Sequence, residues 1–502
     1  MSNLVGIDLG TTYSAIAKLD DTGRPVIIDN SEGGNITPSI VLFENENNVI
    51  VGNIAMQNYG VDTNAFGRFK REMGTDKEYE AFGKKYNPTA LSSFVLKKMK
   101  EDAEEIIGPI SDAVVTIPAN YANEAREATL AAAKTAGLSI KNIINEPTAA
   151  ALYYAYSSGD ELNGVYAVYD LGGGTFDISI IKVEGSNIEV INSDGVSKLG
   201  GDDFDEKIIE IVQSKFKDQT DKILEAEDFT KNDAEEHKKN LSAREQTNIR
   251  IASPSGRATV EISREEFENS ISTLIAQSEM TCENVLDEAN LTIDDINEVI
   301  LVGGSTRMPC IKRSVEKVFK KKPKTFGNPD EAVALGAALF VAYKADPSSL
   351  TPLQQKAVSK VNIADVATKF FGTSILEFDD EKNQHQMVND IIINKGEKLP
   401  CSVTKDYVTV SDGQTSINCT VNESNVEETD PDFVKRIWEG NLDLPEGRPA
   451  GQKVQVTFSY DENQTMKCSF LDISSNKKTE IDLTINNKSS KSEVNIDDFK
   501  VE

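Results

Sequence analysis

The chain has 502 residues, a formal net charge of -29 and a hydrophobic fraction of 39%, which is typical of a globular protein with two or more domains. The negative charge argues against nucleic acid and anionic membranes as partners, because lysine and arginine supply most of the affinity for phosphate polymers. Five widely spaced cysteines without a Cys-x-x-Cys, and only two histidines, disfavour a disulfide framework and thiolate or imidazole metal sites.

Short β-branched runs alternate with helical patterns over about 4–345, which predicts an α/β domain. The first run ends in Asp8-Leu9-Gly10-Thr11-Thr12. An alanine-rich helix is expected over 124–136. Because proline favours the first position of a helix, Pro147 places Glu146 at a helix start, where the positive end of the helix dipole lies.

The same pattern returns as Asp170-Leu171-Gly172-Gly173-Gly174-Thr175 at the end of a second Val/Ile-rich run. A strand that ends in aspartate and then turns on glycine and hydroxyl residues exposes N–H groups for phosphate oxygens, while the carboxylate can hold Mg²⁺ through water. A later strand runs into Gly303-Gly304-Ser305-Thr306-Arg307, which offers one more glycine turn. Neither a P-loop nor a complete Rossmann fingerprint is present. Two Asp-Leu-Gly turns that face each other therefore predict a phosphate clamp of another kind.

Two regions differ from this α/β pattern in composition and in the spacing of their apolar residues. Residues 203–290 are polar and helical apart from a short interruption at 247–262, which indicates an insertion into the second half of the domain. After a polar connector, alternating stretches such as Lys453-Val454-Gln455-Val456-Thr457-Phe458 predict a small antiparallel β-sandwich. The residues after Asn487 are polar and are expected to form a disordered tail.

Four motifs occur in a fixed order: Ile7-Asp8-Leu9-Gly10-Thr11-Thr12-Tyr13-Ser14, Asn145-Glu146-Pro147-Thr148-Ala149-Ala150-Ala151, Asp170-Leu171-Gly172-Gly173-Gly174-Thr175-Phe176-Asp177, and Val302-Gly303-Gly304-Ser305-Thr306-Arg307-Met308-Pro309. In this order and spacing they resemble the 70-kDa heat-shock chaperones of the DnaK type, over nearly the whole chain. The resemblance implies a two-lobed actin-like (ribonuclease-H-like) ATPase domain followed by a small antiparallel β-sandwich that binds peptides. The family continues with a long helical lid after the sandwich, and here this sequence departs from the family, so we expect no helical lid. The implied boundaries are 1–345 for the ATPase domain, 346–366 for the connector and interdomain linker, 367–487 for the sandwich and 488–502 for the polar tail.

The resemblance also implies roles for the matching residues of the ATPase domain. Asp8 and Asp170 match the acidic pair around Mg²⁺, and Lys70 matches the lysine that positions the attacking water. The implied catalytic residues are Lys70, Glu146, Asp170, Thr175 and Asp177. The implied nucleotide-binding residues come from the three glycine turns, one polar helix and the end of the domain: Gly10, Thr11, Thr12, Tyr13, Gly172, Gly173, Gly174, Glu235, Lys238, Lys239, Ser242, Gly303, Gly304, Ser305, Arg307 and Asp330.

Four positions depart from the family pattern. Lys239 stands in place of the arginine that stacks on adenine, and an ammonium stacks less well than a guanidinium, so weaker adenosine binding is expected. In the linker, Asn362 and Ala364 replace apolar residues, which predicts weak or rewired coupling between ATP and peptide. Asn142 stands where an arginine often helps to dock the J-domain co-chaperone, and this counts against that partner.

The implied ligands are ATP or ADP with Mg²⁺, K⁺ as a further candidate ion, and unfolded or extended polypeptides. Val410, Ile417 and Cys419 fall near the implied peptide groove, although an ordinary role in the sandwich core is an equally good interpretation. A J-domain co-chaperone and a nucleotide-exchange factor are candidate partners. The sequence has neither a basic or apolar leader nor an apolar stretch of membrane-spanning length, so we expect no membrane contact and a cytoplasmic location.

The leading hypothesis is an ATP-dependent chaperone that hydrolyses ATP to ADP and phosphate and binds extended segments of unfolded polypeptides. Without a lid, bound peptide should leave quickly, because affinity differences appear mostly in dissociation rates. The alternative is a nucleotide-sensing interaction module with a dedicated protein partner and little turnover, which the altered linker, the missing lid and Asn142 favour. A sugar or glycerol kinase on the same scaffold is a third hypothesis, and the strand-rich C-terminal region argues against it.

Overall fold

The computed structural model of the chain describes residues 3–158, 163–184, 187–359, 362–379, 383–461, 465–483 and 495–502. The chain divides into two compact units. Unit 1 comprises Met1–Ile363 and Ser489–Glu502, and unit 2 comprises Ala364–Lys488. Because unit 1 combines sheets with helices, the predicted mixed α/β class is confirmed.

The first half of unit 1, residues 3–158, alternates strands and helices. Its strands are β1 (Asn3–Asp8), β2 (Tyr13–Leu19), β3 (Pro25–Ile27), β4 (Thr37–Pro38), β5 (Ile40–Phe43), β6 (Asn48–Val51), β7 (Ala65–Gly67), β8 (Tyr79–Ala81), β9 (Lys84–Tyr86), β10 (Ile110–Ile117) and β11 (Ile140–Asn145). Its helices are α1 (Asn53–Asn58), α2 (Pro88–Ile107), α3 (Asn123–Thr135) and α4 (Glu146–Ser158). Helix α2 begins where Pro88 follows Asn87, whose side chain accepts a hydrogen bond from the Ala90 N–H.

The second half of unit 1 runs from residue 163 to the linker. Its strands are β12 (Asn163–Leu171), β13 (Phe176–Glu184), β14 (Asn187–Val196), β15 (Gln246–Ser253), β16 (Gly256–Ser263), β17 (Ile296–Val302) and β18 (Asn362–Ala364). Its helices are α5 (Gly201–Thr220), α6 (Lys231–Ala243), α7 (Arg264–Ser270), α8 (Ser272–Glu288), α9 (Pro309–Phe319), α10 (Ala332–Lys344) and α11 (Pro352–Val358). The predicted polar insertion therefore consists of α5 to α8 with the β15–β16 hairpin, which is the interruption expected at 247–262.

The two halves of unit 1 repeat one sheet topology. In the first sheet the strand order is β11-β10-β1-β2-β3, with β1 parallel to β10 and antiparallel to β2. In the second sheet the order is β17-β12-β13-β14-β18, with β12 parallel to β17 and antiparallel to β13. The central strands β1 and β12 are thus equivalent, and each ends at one of the two Asp-Leu-Gly turns. This repeat explains why the sequence motif occurs twice.

Unit 2 is built from antiparallel strands. They are β19 (Phe370–Asp379), β20 (Gln384–Ile393), β21 (Cys401–Val408), β22 (Ser416–Ser424), β23 (Lys435–Asp443), β24 (Lys453–Tyr460), β25 (Met466–Asp472) and β26 (Lys477–Asp482). They form two four-stranded sheets, of order β20-β19-β22-β23 and β21-β24-β25-β26. Side chains of both sheets, such as Val421 and Phe458, share one hydrophobic cluster. The peptide-binding role of this unit and the absence of a lid stay predictions.

The last described residues differ from the expected disordered tail. Strand β27 (Lys500–Val501) pairs in parallel with β6, and Ile496 and Phe499 are buried in the core of the first half of unit 1. Composition alone indicated disorder because these two apolar residues lie within a polar stretch, and their burial depends on a partner surface distant in sequence. The remaining tail residues, 488–494, lie outside the described residues, as does Val361 of the linker.

Two further observations concern the compartment and the cysteines. None of the described helices is both long and apolar enough to cross a membrane. All five cysteines are free thiols, and four of them are buried.

Candidate functional site

The two Asp-Leu-Gly turns face each other across a cleft in unit 1. A methyl group on Gly173 would lie 1.8 Å from the Thr12 hydroxyl oxygen, and one on Gly174 would lie 2.6 Å from Cγ2 of Thr11. Gly10 is equally restricted, because a methyl group there would lie 1.9 Å from the Tyr13 carbonyl oxygen. The close approach of the two turns therefore requires glycine, and the predicted clamp geometry is present.

A cavity of about 560 Å³ opens between the turns. It is lined by the predicted residues Asp8, Gly10, Thr11, Thr12, Tyr13, Lys70, Glu146, Asp170, Gly172, Gly173, Thr175, Glu235, Lys238, Lys239, Ser242, Gly303, Gly304, Ser305, Arg307 and Asp330. Two predicted residues do not line it. Gly174 packs against Thr11, and Asp177 lies fully buried behind the cavity wall.

A buried ion pair stands at the base of the cavity. Lys70 follows β7 in a short 3-10 turn, and its Nζ lies 2.6 Å from Oε1 of Glu146, the first residue of α4. The Lys70 carbonyl also accepts a hydrogen bond of 3.0 Å from the Tyr121 hydroxyl. Although burial opposes the charge, the Glu146 carboxylate keeps the pKa of Lys70 above its ordinary value. Lys70 is therefore a positively charged side chain held in place near Asp8 and Asp170, the aspartates at the ends of β1 and β12.

The aspartates at the strand ends form an uncompensated acidic group. Burial, and then the charge of Glu146, raise the pKa of Asp8 to about 7 and that of Asp170 well above its ordinary value. Thr116 donates a hydrogen bond of 3.0 Å to Asp8. Asp177, which pairs with Asp170 across β12 and β13, has its pKa raised to about 7 by burial and then by Glu146. One lysine faces four carboxyl groups here, of which those of Glu146, Asp170 and Asp177 are buried, so the site is short of positive charge.

This charge deficit fits a divalent cation. Among the described residues, no group of three or more His, Cys, Asp or Glu side chains is arranged to hold a metal ion directly. Asp8 ends β1, Asp170 lies near the end of β12, and both line the cavity, so these two carboxyl groups would hold Mg²⁺, which proteins commonly bind with one or two carboxylates and water. The buried Thr12 hydroxyl has no hydrogen-bond partner among the residues that the structure describes and is available as an additional polar contact.

The third glycine turn closes another side of the cavity. Gly303 has a φ of +81°, and a methyl group there would lie 2.5 Å from the Leu171 carbonyl oxygen and 2.8 Å from Oδ1 of Asp170. The Ser305 hydroxyl donates a hydrogen bond of 2.8 Å to the Gly172 carbonyl. The turn after β17 is thereby fixed to the turn after β12.

Helix α6 carries the residues predicted to contact adenosine. The Lys238 ammonium is buried and donates hydrogen bonds of 2.8 Å to Asp205 and to the Gly201 carbonyl. Lys239 is more exposed, pairs with Glu235 at 2.7 Å and lies 5.6 Å from the centre of the Tyr13 ring. An ammonium in this position offers a point charge and no flat surface to an adenine ring.

Arg307 lies at the mouth of the cavity. Its guanidinium contacts Asp330 at 2.7 Å and the Asn328 amide oxygen at 2.6 Å. Slightly more than half of the Arg307 side chain is exposed, which leaves its planar face open to a ring. Arg307 therefore has the planar surface that Lys239 lacks.

Sequence reasoning missed several residues that line the cavity. They are Ile36, Gly201, Asp202, Asp205, Val302, Met308, Pro329 and Val333. Of these, Gly201, Asp202 and Asp205 lie in the first two turns of helix α5, which follows β14 after a short connection. The pair Gly200-Gly201 before an amphipathic helix was the available signal, because adjacent glycines at a helix start often allow a close backbone approach.

The three residues predicted to contact peptide lie in unit 2 and differ in accessibility. Val410 is exposed, Ile417 is half-buried in β22, and Cys419 is buried in the hydrophobic cluster. Burial raises the pKa of the Cys419 thiol to about 12. The structure thus favours the core interpretation for Cys419, while peptide contacts of Val410 and Ile417 stay predictions.

Comparison with known proteins gives consistent matches over both units. The family model described as Hsp70 protein matches residues 4–82 and 75–501. The proteins named Chaperone protein DnaK from Thermotoga petrophila, Thermotoga neapolitana and Thermotoga maritima are each 35% identical to the chain over 510 residues. Each of these alignments covers 98% of this chain and 82% of the relative.

Proposed function

The chain belongs to the Hsp70 family of ATP-binding chaperones, and from this premise we propose that it hydrolyses ATP to ADP and phosphate and couples this reaction to the binding of extended polypeptide segments. The observation that carries the proposal is the juxtaposition, in one cavity, of two facing Asp-Leu-Gly turns with the buried Lys70–Glu146 pair. A cytoplasmic location belongs to the same proposal.

In this mechanism the glycine turns hold the phosphates. Thr11, Thr12 and Gly173 present hydroxyl and backbone N–H groups to phosphate oxygens, which is the usual role of a glycine-rich turn. Asp8 and Asp170 would hold Mg²⁺, which would supply positive charge against the phosphate oxygens. Phosphoryl transfer depends on positioning and electrostatics more than on covalent catalysis by the protein, so a rigid and charged cavity is the main requirement.

Lys70 orients the water that attacks the terminal phosphate. The Glu146 carboxylate fixes the ammonium from one side, and the Tyr121 hydroxyl holds the backbone of Lys70 in place. Because Lys70 stays protonated, it stabilises negative charge and does not serve as the base. Asp170 lines the cavity and is the candidate to accept a proton from water, whereas Asp177 lies buried behind the cavity wall.

Adenosine would lie between helix α6 and the third glycine turn. Glu235, Lys238 and Ser242 of α6 line the cavity and would face the ribose and base, while Arg307 would cover the open side. Since Lys239 pairs with Glu235 and offers no planar surface, we expect the base to be held more by Arg307 than by α6.

A single-turnover ATPase assay tests the role of Lys70. Lys70→Ala should lower the rate of hydrolysis by about 100-fold or more, as loss of a positioned transition-state group does in other enzymes. Binding of a fluorescent ADP analogue measures whether the variant still folds and binds nucleotide. Equal hydrolysis rates for the variant and the native chain would exclude this role.

The exposed Lys222→Ala variant is the matched control, since it removes the same side chain from the surface of unit 1.

A second assay measures the ATPase rate with and without a panel of unrelated unfolded peptides. It separates a chaperone from a module with one dedicated partner. Peptides that neither bind nor change the rate would count against the proposed coupling.

A further inference from the structure

We propose that the first half of unit 1 carries a binding site for a short extended peptide, and that its occupant is the chain's own segment Asn495–Glu502. This docking groove is formed by the β6 edge, the β8–β9 hairpin and helix α2. It is separate from the nucleotide cavity and does not depend on ATP hydrolysis.

The backbone of the segment adds a strand to a sheet. Strand β27 extends the order β27-β6-β5-β7, with Lys500 opposite Asn48 and Val501 opposite Val49. The Lys500 N–H donates to the Asn47 carbonyl at 2.9 Å. The Glu502 N–H donates to the Val49 carbonyl at 2.8 Å, and the Val51 N–H donates to a Glu502 oxygen at 2.8 Å. This is recognition of an extended peptide by strand addition, which satisfies an otherwise open sheet edge.

Two apolar side chains anchor the segment. Phe499 is 7% exposed and meets the rings of Phe43, Tyr86 and Phe94 edge-on, with its centroid 5.2 Å from that of Phe94. Ile496 is 1% exposed and belongs to the same hydrophobic cluster. Main-chain pairing with pockets for particular side chains is what gives strand addition its sequence specificity.

Two lysines of the groove, Lys97 and Lys84, contact the segment. Lys97 donates a hydrogen bond of 3.1 Å to the Ile496 carbonyl and lies 3.6 Å from the Asp497 carboxylate. Lys84 lies 5.5 Å from the centre of the Phe499 ring. The groove therefore fits a peptide with two apolar residues three positions apart and a carboxylate between them.

The docking groove and the segment that contains Lys70 belong to the same β-sheet and the same hydrophobic cluster. Strand β7, at the opposite edge of the same sheet, leads directly to Phe69 and Lys70. Phe69 is buried in the cluster that also takes up Phe499. In addition, unit 2 lies between two segments of unit 1 in the chain, so docking of Asn495–Glu502 connects unit 2 to unit 1 through both of its ends.

Hydrogen exchange on the full-length chain tests the docking directly. In the native protein the Val51 amide should exchange slowly, because its partner is an oxygen of Glu502. In the full-length Phe499→Asp variant it should exchange about tenfold faster or more, as a locally opened amide does. The full-length Lys97→Ala variant should show a smaller increase, which keeps the test usable if Phe499→Asp fails to fold. Fast exchange of Val51 in the native protein would overturn the proposal.

A peptide-binding assay identifies the occupant. A fluorescein-labelled peptide with the sequence of Asn495–Glu502 should bind the Phe499→Asp variant and not the native chain, whose own segment acts at an effective concentration of about millimolar. The full-length Lys500→Ala variant is the control, because the Lys500 side chain is largely exposed, and it should behave like the native chain. Failure of the peptide to bind a Phe499→Asp variant with a native circular dichroism spectrum would contradict the proposal, as would equal binding of a peptide with aspartate in place of phenylalanine. Sedimentation of the native chain as a dimer that the peptide dissociates would assign the groove to a second copy and overturn docking within one chain.

Discussion

Asp177 shows how one buried carboxyl group links the site to stability. It is 1% exposed and accepts a hydrogen bond of 3.4 Å from the Asn120 N–H. Burial, and then the charge of Glu146, raise its pKa from 3.8 to about 7. Between these two values the folded chain binds more protons than the unfolded chain, so the free energy of unfolding falls as the pH rises. Above pH 7 the Asp177 carboxylate is charged in the folded chain, and its full destabilising effect on the folded state is present.

We therefore expect Asp177→Asn to stabilise the nucleotide-free protein at pH 8 by about 1–3 kcal/mol, because asparagine keeps the acceptor and removes the charge. The gain should shrink as the pH is lowered from 7 toward 4. Urea unfolding followed by circular dichroism at several pH values measures it. The exposed Asp294→Asn variant is the control and should change little at any pH. A gain that is independent of pH would refute the assignment of the raised pKa to Asp177.

At the scale of elements, two ion pairs connect the halves of unit 1 beside the cavity. Arg68, at the end of β7, lies with Nε 2.8 Å from Oδ1 of Asp202 in the first turn of α5. Arg71 lies 3.0 Å from Asp203 of the same turn. Both side chains of the Arg68–Asp202 pair are buried. Although burial opposes the charge, Asp202 keeps the pKa of Arg68 above its ordinary value. The pair joins the segment carrying Lys70 to the helix that begins after the second glycine turn.

Removing one partner of a buried pair leaves the other charge without compensation. Arg68→Met or Asp202→Asn alone should therefore lower the free energy of unfolding by about 3–5 kcal/mol, and the double variant should lose much less than the sum. Chemical denaturation of the three variants gives the coupling energy. The Arg24–Asp20 pair, in which the arginine is exposed and the aspartate half-buried, is the control and should give a coupling energy of about 0–1 kcal/mol. Strictly additive losses for Arg68 and Asp202 would show that the pair does not connect the two halves.

These elements also show what can be read from the sequence. The glycine turns and the start of α4 follow from local patterns, since glycine, aspartate and proline have strong positional preferences. The Arg68–Asp202 pair could not be predicted in this way, because its partners are 134 residues apart and each alone looks like a surface charge. The docking of Asn495–Glu502 could not be predicted for the same reason. Its composition is mostly polar, and its two buried apolar residues, Ile496 and Phe499, pack against the first half of unit 1, which is distant in sequence.

At the scale of the whole molecule, negative charge dominates both the protein and its cavity. The formal net charge is -29. Seven carboxyl groups and four cationic side chains line the cavity, namely Asp8, Glu146, Asp170, Asp202, Asp205, Glu235 and Asp330 against Lys70, Lys238, Lys239 and Arg307. A nucleotide that is itself an anion therefore approaches against a repulsive field. Local contacts, and not long-range attraction, must supply its affinity.

Screening should relieve this repulsion. The association rate of ATP with Mg²⁺ should rise several-fold as ionic strength is increased from about 20 to 200 mM, because the screening length falls to about 10 Å near 0.1 M. Stopped-flow mixing with a fluorescent ATP analogue measures this rate, with choline chloride as the added salt so that Mg²⁺ and K⁺ stay constant. The dissociation rate serves as the internal control, since contacts inside the cavity are screened less and should change little. A rate of association that falls with added salt would mean that the four cations of the cavity attract the nucleotide from a distance despite the charge of the whole chain.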